Sequence, residues 1–208
     1  MAESLRNLRT KLSRAADLLG GDVPPALAAV ASPFQEAAVA FQASDKAARD
    51  AAIAWGKEAP EADAAVSALA RSYDAAREAT LARVPGLPDA GPASSHTTAT
   101  ETLEAAVILA DVLGEQDPAW AGAVLEDLSP RIDAAEQEVD EKVGAGAARQ
   151  KADQARAAAA GGAWERLRQL RRVVRRVYGP TSREYHSLRE RSGATGATGA
   201  GESAGGEG

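Results

Sequence analysis

The residues most able to do chemistry are charged and segregated. Between Trp164 and Tyr178 the bases are Arg166, Arg168, Arg171, Arg172, Arg175 and Arg176, against one acid, Glu165. Between Glu126 and Glu141 the acids are Glu126, Asp127, Asp133, Glu136, Glu138, Asp140 and Glu141, against Arg131. Guanidinium groups on an amphipathic helix can hold phosphate, anionic lipid or an acidic partner. Trp164, Leu167, Leu170, Val174 and Val177 supply the apolar stripe of that helix. The simpler reading, and the one the pattern favours, makes the acidic helix its antiparallel neighbour, with the two sets of charges facing each other. The six arginines and Trp120 are the candidate interaction surface. Aromatics interleaved for base stacking are missing, which disfavours nucleic acid.

Other chemistries lack their residues. There is no cysteine, hence no disulfide and no thiolate metal site. His96 and His186 stand outside any His-Glu-x-x-His or Glu-x-x-His spacing and read as surface residues. A carboxylate-only cation site would draw on Glu136, Asp140 and their neighbours, but solvated acids on an exposed face are commoner. Gly144-Ala-Gly-Ala-Ala follows an acidic helix rather than a strand, so its glycines read as a break between helices. No phosphate loop, nucleophile elbow or hydrolase triad is present. The expectation is a chain with no catalytic residues, no cofactor, no metal and no evident small-molecule substrate.

The elements that carry these charges must be helices. The chain has 208 residues, enough for a real core; aromatics are 4% and hydrophobic residues 45%. About a quarter of the residues are alanine, the best helix former. The net charge of −6 suits solubility and repels nucleic acid. No apolar run nears the roughly 18 residues of a spanning helix, and the first 14 residues hold no apolar signal core. A cytoplasmic location is expected.

Leu5, Leu8, Leu12, Ala15, Ala16 and Leu19 step by threes and fours, predicting an amphipathic helix over 4–19 that Gly20 and Gly21 stop. Its apolar face lacks the Trp or Phe that deepen interfacial binding, so it reads as a bundle helix. Ser32-Pro33-Phe34-Gln35 has the form of a helix start. From Ala48 to Thr80 small and apolar residues alternate at four and three, predicting a long helix that Pro60 kinks or briefly breaks. Thr98 with Glu101, and Thr181 with Glu184, have capping-box spacing; a short helix is expected over 182–191.

The order of landmarks then repeats. Ala16-Asp17-Leu18-Leu19-Gly20 returns as Ala110-Asp111-Val112-Leu113-Gly114, 94 positions on, and Pro24 returns as Pro118. Ser32-Pro33 returns as Ser129-Pro130, 97 positions on, and Arg83-Val84-Pro85-Gly86 as Arg176-Val177-Tyr178-Gly179, 93 on. Collinear landmarks point to duplication. The expected fold is all-α: an antiparallel helical bundle from two tandem three-helix units with pseudo-twofold symmetry, the long helices forming a four-helix core. The units are 1–86 and 98–191, with a linker over 87–97 and a disordered glycine-rich tail over 192–208.

The stretch from Leu170 to Tyr185, above all Tyr178-Gly179-Pro180-Thr181-Ser182-Arg183-Glu184-Tyr185, resembles the C-terminal end of uncharacterised alanine-rich helical proteins of bacteria. The resemblance covers about sixteen of 208 residues and implies a helical, bacterial protein, with no activity or ligand. Together these readings point to a non-enzymatic interaction or scaffold module, binding a protein partner or a second copy. The alternative is a peripheral binder of an anionic membrane or hydrophobic granule, held by the basic amphipathic helices.

Overall fold

The computed structural model describes residues 2–21, 23–85, 90–115 and 118–189; the expected tail lies outside them. Among the described residues the fold is all-α, with no strand. A short helix and a long helix follow one another twice: α1 (Ala2–Leu19), α2 (Pro25–Arg83), α3 (Ala99–Gly114) and α4 (Pro118–Tyr178), closed by α5 (Arg183–Arg189). Among the described residues, no helix is long and apolar enough to cross a membrane.

Local chemistry explains the ends. The Gly20 N–H donates to Ala16 O at 3.0 Å where α1 stops. Pro25 opens α2 where a missing N–H is harmless, and Pro24 O takes the Leu27 N–H at 2.8 Å. Thr98 caps α3 with both bonds of the expected box: the Glu101 N–H reaches its hydroxyl, and its own N–H reaches the Glu101 carboxylate at 2.7 Å. Gly179, at φ +92°, ends α4 in a conformation that favours glycine. The cap of α5 differs from expectation. Ser182, not Thr181, accepts the Tyr185 N–H at 3.1 Å, because the helix begins one residue later than the spacing suggested.

Where the expected three-helix units place two helices after the first, the middle one starting at Ser-Pro, the structure has one long helix. Ser32-Pro33 lies inside α2, and Ser129-Pro130 inside α4. Helix also continues through Pro60 and through the glycines at 144, 146, 161 and 162. A proline inside a helix costs about 3 kcal/mol. Burial offsets that cost here: Phe34, Phe41, Leu128 and Ala135 are all within 1% of complete burial. Ser32 caps nothing; its hydroxyl donates to Glu36 one turn on, at 3.0 Å.

Packing divides the chain into two compact units, each taking part of each long helix. One joins the chain up to Ser44 with the chain from Ala155; the other runs from Asp45 to Gln154. In the first, Leu8, Leu12, Phe34, Phe41, Leu167, Leu170, Val174 and Leu188 share one core. In the second, Leu69, Tyr73, Leu109, Leu113, Leu128 and Ile132 share another. Within that second unit α2 and α4 run antiparallel: Trp55 meets Arg149, and Asp63 meets Lys142 at 2.7 Å.

Burial follows one register. Leu8, Leu12, Ala15 and Leu19 of α1 are buried, and so are the residues 94 positions on, Thr102, Ala106, Leu109 and Leu113 of α3. Leu27, Phe34, Ala38 and Phe41 of α2 pair in the same way with Ala121, Leu128, Ile132 and Ala135 of α4. So do Leu69, Tyr73, Ala76 and Thr80 with Ala163, Leu167, Leu170 and Val174. These twelve pairs hold 24 of the 31 buried residues, and the equivalents of the other seven are all half-buried. The landmarks at 93 and 97 fall outside this register.

Candidate functional site: an arginine face

Charge is unequally shared between the two units. The first holds 14 Lys and Arg against 9 Asp and Glu, net +5; the second holds 10 against 21, net −11. The acidic stretch 126–141 and the basic stretch 164–178 are not neighbouring helices. They are successive parts of the single helix α4, in different units, so the expected mutual neutralisation does not arise. Among the described residues, none of Arg166, Arg168, Arg171, Arg172, Arg175 and Arg176 makes an ion pair. Arg166 donates instead to the neutral amide oxygen of Gln169 at 2.9 Å.

The helix positions this face through what it buries. Leu167, Leu170 and Val174 face the core of the first unit, with Trp164 and Val173 packed beside them. Arg168, Arg171, Arg172 and Arg175 follow at i, i+3, i+4 and i+7, so they share one stripe along the flank of the buried face, with Arg171 nearest the core. With Tyr185 of α5 they line one cleft of about 230 Å³. Arg168, Arg172 and Arg175 are exposed, while Arg171 is half-buried and its Nε is buried without a hydrogen-bond partner. Leu188, fully buried, fixes α5 on the unit, and an Arg14 Nη1 donates to Ser187 O at 3.3 Å. Four like charges at helical spacing repel one another, and the C-terminal end of the helix dipole only partly compensates. The chemistry available is therefore anion binding.

The other candidates find different settings. Trp120 is half-buried against the core of the second unit, with the Arg83 guanidinium 5.7 Å from its ring centroid, so much of its surface is already used. Trp164 takes the Lys11 ammonium at 5.6 Å. His96 and His186 are exposed, as expected. Glu136 and Asp140 do not form the acidic cluster; Glu138 and Glu141 do, with Glu58 of α2, their oxygens lying within 4.8 Å of one another. One oxygen each of Glu58 and Glu138 is buried and unpartnered, while the other Glu58 oxygen takes Lys57 at 3.4 Å. Such oxygen donors suit hard cations.

The sequence hid two features. Tyr185 as a wall of the cleft depends on how α5 folds back. The second is the fastening of the expected linker. Tyr73, fully buried, donates to Ala90 O at 3.0 Å or Pro92 O at 2.8 Å, and Arg77 Nε donates to Gly91 O at 2.8 Å. Asp74 accepts from both the N–H and the hydroxyl of Ser94. Burial pushes the Tyr73 phenol above its ordinary pKa, reinforced by Asp74 and opposed by Arg77. A strand-free chain gives no periodic signal for such a loop.

No family model, curated protein or solved structure matches this chain.

Proposed function

We propose that this chain is a non-enzymatic helical interaction module that docks a second copy of itself through opposite charge. The observation that carries the reading is charge segregation: an unpaired arginine stripe on a unit of net +5, and a unit of net −11 on the same chain. The basic unit of one copy complements the acidic unit of another, and such complementarity favours encounter and orientation. The constant 94-residue burial register further supports a tandem duplication, two copies of a short-plus-long helix pair making four principal helices. The two copies then kept one packing pattern while their surfaces diverged in charge.

The test is light scattering coupled to size exclusion at low and high salt. A dimer or larger species at low salt that dissociates at high salt is expected, because exposed charges are screened within about 10 Å at 0.1 M. A strict monomer at both salts removes the reading.

Adsorption to an anionic membrane is the second reading, supported by the same arginines. It is weakened by burial: the apolar faces of α1 and of the 164–178 stretch are spent on the core of the first unit. Only charge would remain to hold a bilayer. Failure to float with anionic liposomes at low salt would remove it.

A further inference from the structure

We infer that the cleft lined by Arg168, Arg171, Arg172, Arg175 and Tyr185 is a binding site for a small phosphate-class oxyanion. The inference goes beyond docking to a second copy, although both use the unpaired state of these arginines.

Three observations meet in this cleft. The first is charge: four guanidiniums on one helical stripe have no acidic partner among the described residues. The second is an unmet donor. The Nε–H of Arg171 is buried without an acceptor, and such a group costs about 1–3 kcal/mol until one is supplied. Nε–H and an Nη–H together form the fork that matches two oxygens of one phosphate, so an oxyanion that draws the half-buried Arg171 guanidinium round toward the cleft gives the orphan donor its acceptor and neutralises the stripe. The third is size. At about 230 Å³ the cleft lies below the range of roughly 300–1,000 Å³ usual for drug-sized ligands, which favours a mono- or diphosphate group over a whole nucleotide. Tyr185, which also lines the cleft, carries a hydroxyl able to donate.

Pyrophosphate titrated into the full chain by calorimetry at physiological salt tests the site. Saturable binding is expected, weakened about tenfold or more by Arg171→Gln. Arg171→Lys should fail similarly, since it keeps the charge and loses the fork. Arg172→Gln, at an exposed position, repeats the test should Arg171→Gln disturb folding, which circular dichroism would report. Arg131→Gln in the acidic unit should leave binding unchanged. The absence of saturable binding, or a loss no larger than that of Arg131→Gln, overturns the site. Vesicles of phosphatidylcholine with and without a phosphomonoester headgroup then identify the source. Flotation that pyrophosphate blocks assigns a lipid headgroup; pyrophosphate binding without flotation assigns a soluble ligand; both outcomes support the cleft. Binding by a strict monomer would leave the site standing and remove docking to a second copy. Salt-sensitive association without pyrophosphate binding would remove the site alone.

Discussion

Trp55 of α2 and Arg149 of α4 stack on each other, the guanidinium carbon 4.6 Å from the ring centroid, and they stand 94 positions apart. They are therefore equivalent positions in the burial register, and each meets the other. In an antiparallel pair of matching helices that happens only at the midpoint. Gly146 faces the same ring: a Cβ there would sit 3.7 Å from the indole, in ordinary van der Waals contact.

Loss of that contact should be measurable. Trp55→Ala is expected to lower the unfolding free energy by about 2 kcal/mol, and Arg149→Gln by about 0.5–1 kcal/mol. Urea unfolding followed by circular dichroism should give non-additive effects in the double variant. Additive losses would mean that the ring and the guanidinium only lie close.

The loop after α2 should depend on one hydroxyl and one glycine. Tyr73→Phe leaves the carbonyls of Ala90 and Pro92 without their buried donor, at a cost of about 1–3 kcal/mol. Gly91 has φ +70°, and a Cβ there would lie 2.5 Å from the Tyr73 hydroxyl, so Gly91→Ala should cost a similar amount. Because the Tyr73 pKa is raised, its contribution is complete below the ordinary phenol value of 10.0 and is lost as pH rises through the folded value. Alkaline unfolding of wild type and Tyr73→Phe should therefore converge. Separation that persists at high pH would assign the effect to packing.

How far the sequence could be read depended on which signals were local. The leucine spacing of α1, the Thr98–Glu101 box and the all-helical class were legible because each rests on neighbours within one or two turns. Ser32-Pro33 misled because the same dipeptide can start a helix or sit inside one; burial of Phe34 and Phe41 decided it, and burial is not local. The two charged stretches misled for a related reason. Their alanine- and glycine-rich connection, 143–163, reads as a turn when it is a helix spanning both units.

The α3 cap gives a prediction at the acid end. Thr98→Ala should cost about 1 kcal/mol. The hydrogen bond from the Thr98 backbone, then that from its side chain, holds the Glu101 carboxyl below its ordinary value of 4.5. Its stabilisation is thus present above 4.5 and is lost as pH falls through the lower folded value. Thermal melts of Glu101→Gln and wild type should differ at neutral pH and approach one another in acid. A constant difference would show that the ionised form is not what the cap uses.

The carboxylates of Glu58, Glu138 and Glu141 crowd one another, with two buried oxygens unsatisfied. Glu138→Gln removes one charge and introduces an amide donor beside those oxygens. An increase in stability of about 1 kcal/mol is expected at low salt, shrinking at high salt. A destabilised variant would mean that Glu138 has a favourable partner outweighing the repulsion.

The burial register makes its own demand on single residues. Thr80 is fully buried, and its hydroxyl donates to Ala76 O, four residues back in its own helix, at 2.7 Å. The equivalent position holds Val174, also fully buried, and the equivalent of Ala76 is Leu170. The same slot thus accepts either β-branched side chain, because the hydroxyl finds its acceptor within the helix and asks nothing of the neighbours. Thr80→Val should therefore be neutral or stabilising by up to about 1 kcal/mol, since burying a methyl in place of a hydroxyl favours folding. Val174→Thr should lose about 1 kcal/mol, limited by a bond to Leu170 O. Paired urea titrations would show opposite signs. Losses above about 2 kcal/mol in both would mean that the two sites are shaped differently and that a shared packing pattern does not extend to the ends of α2 and α4.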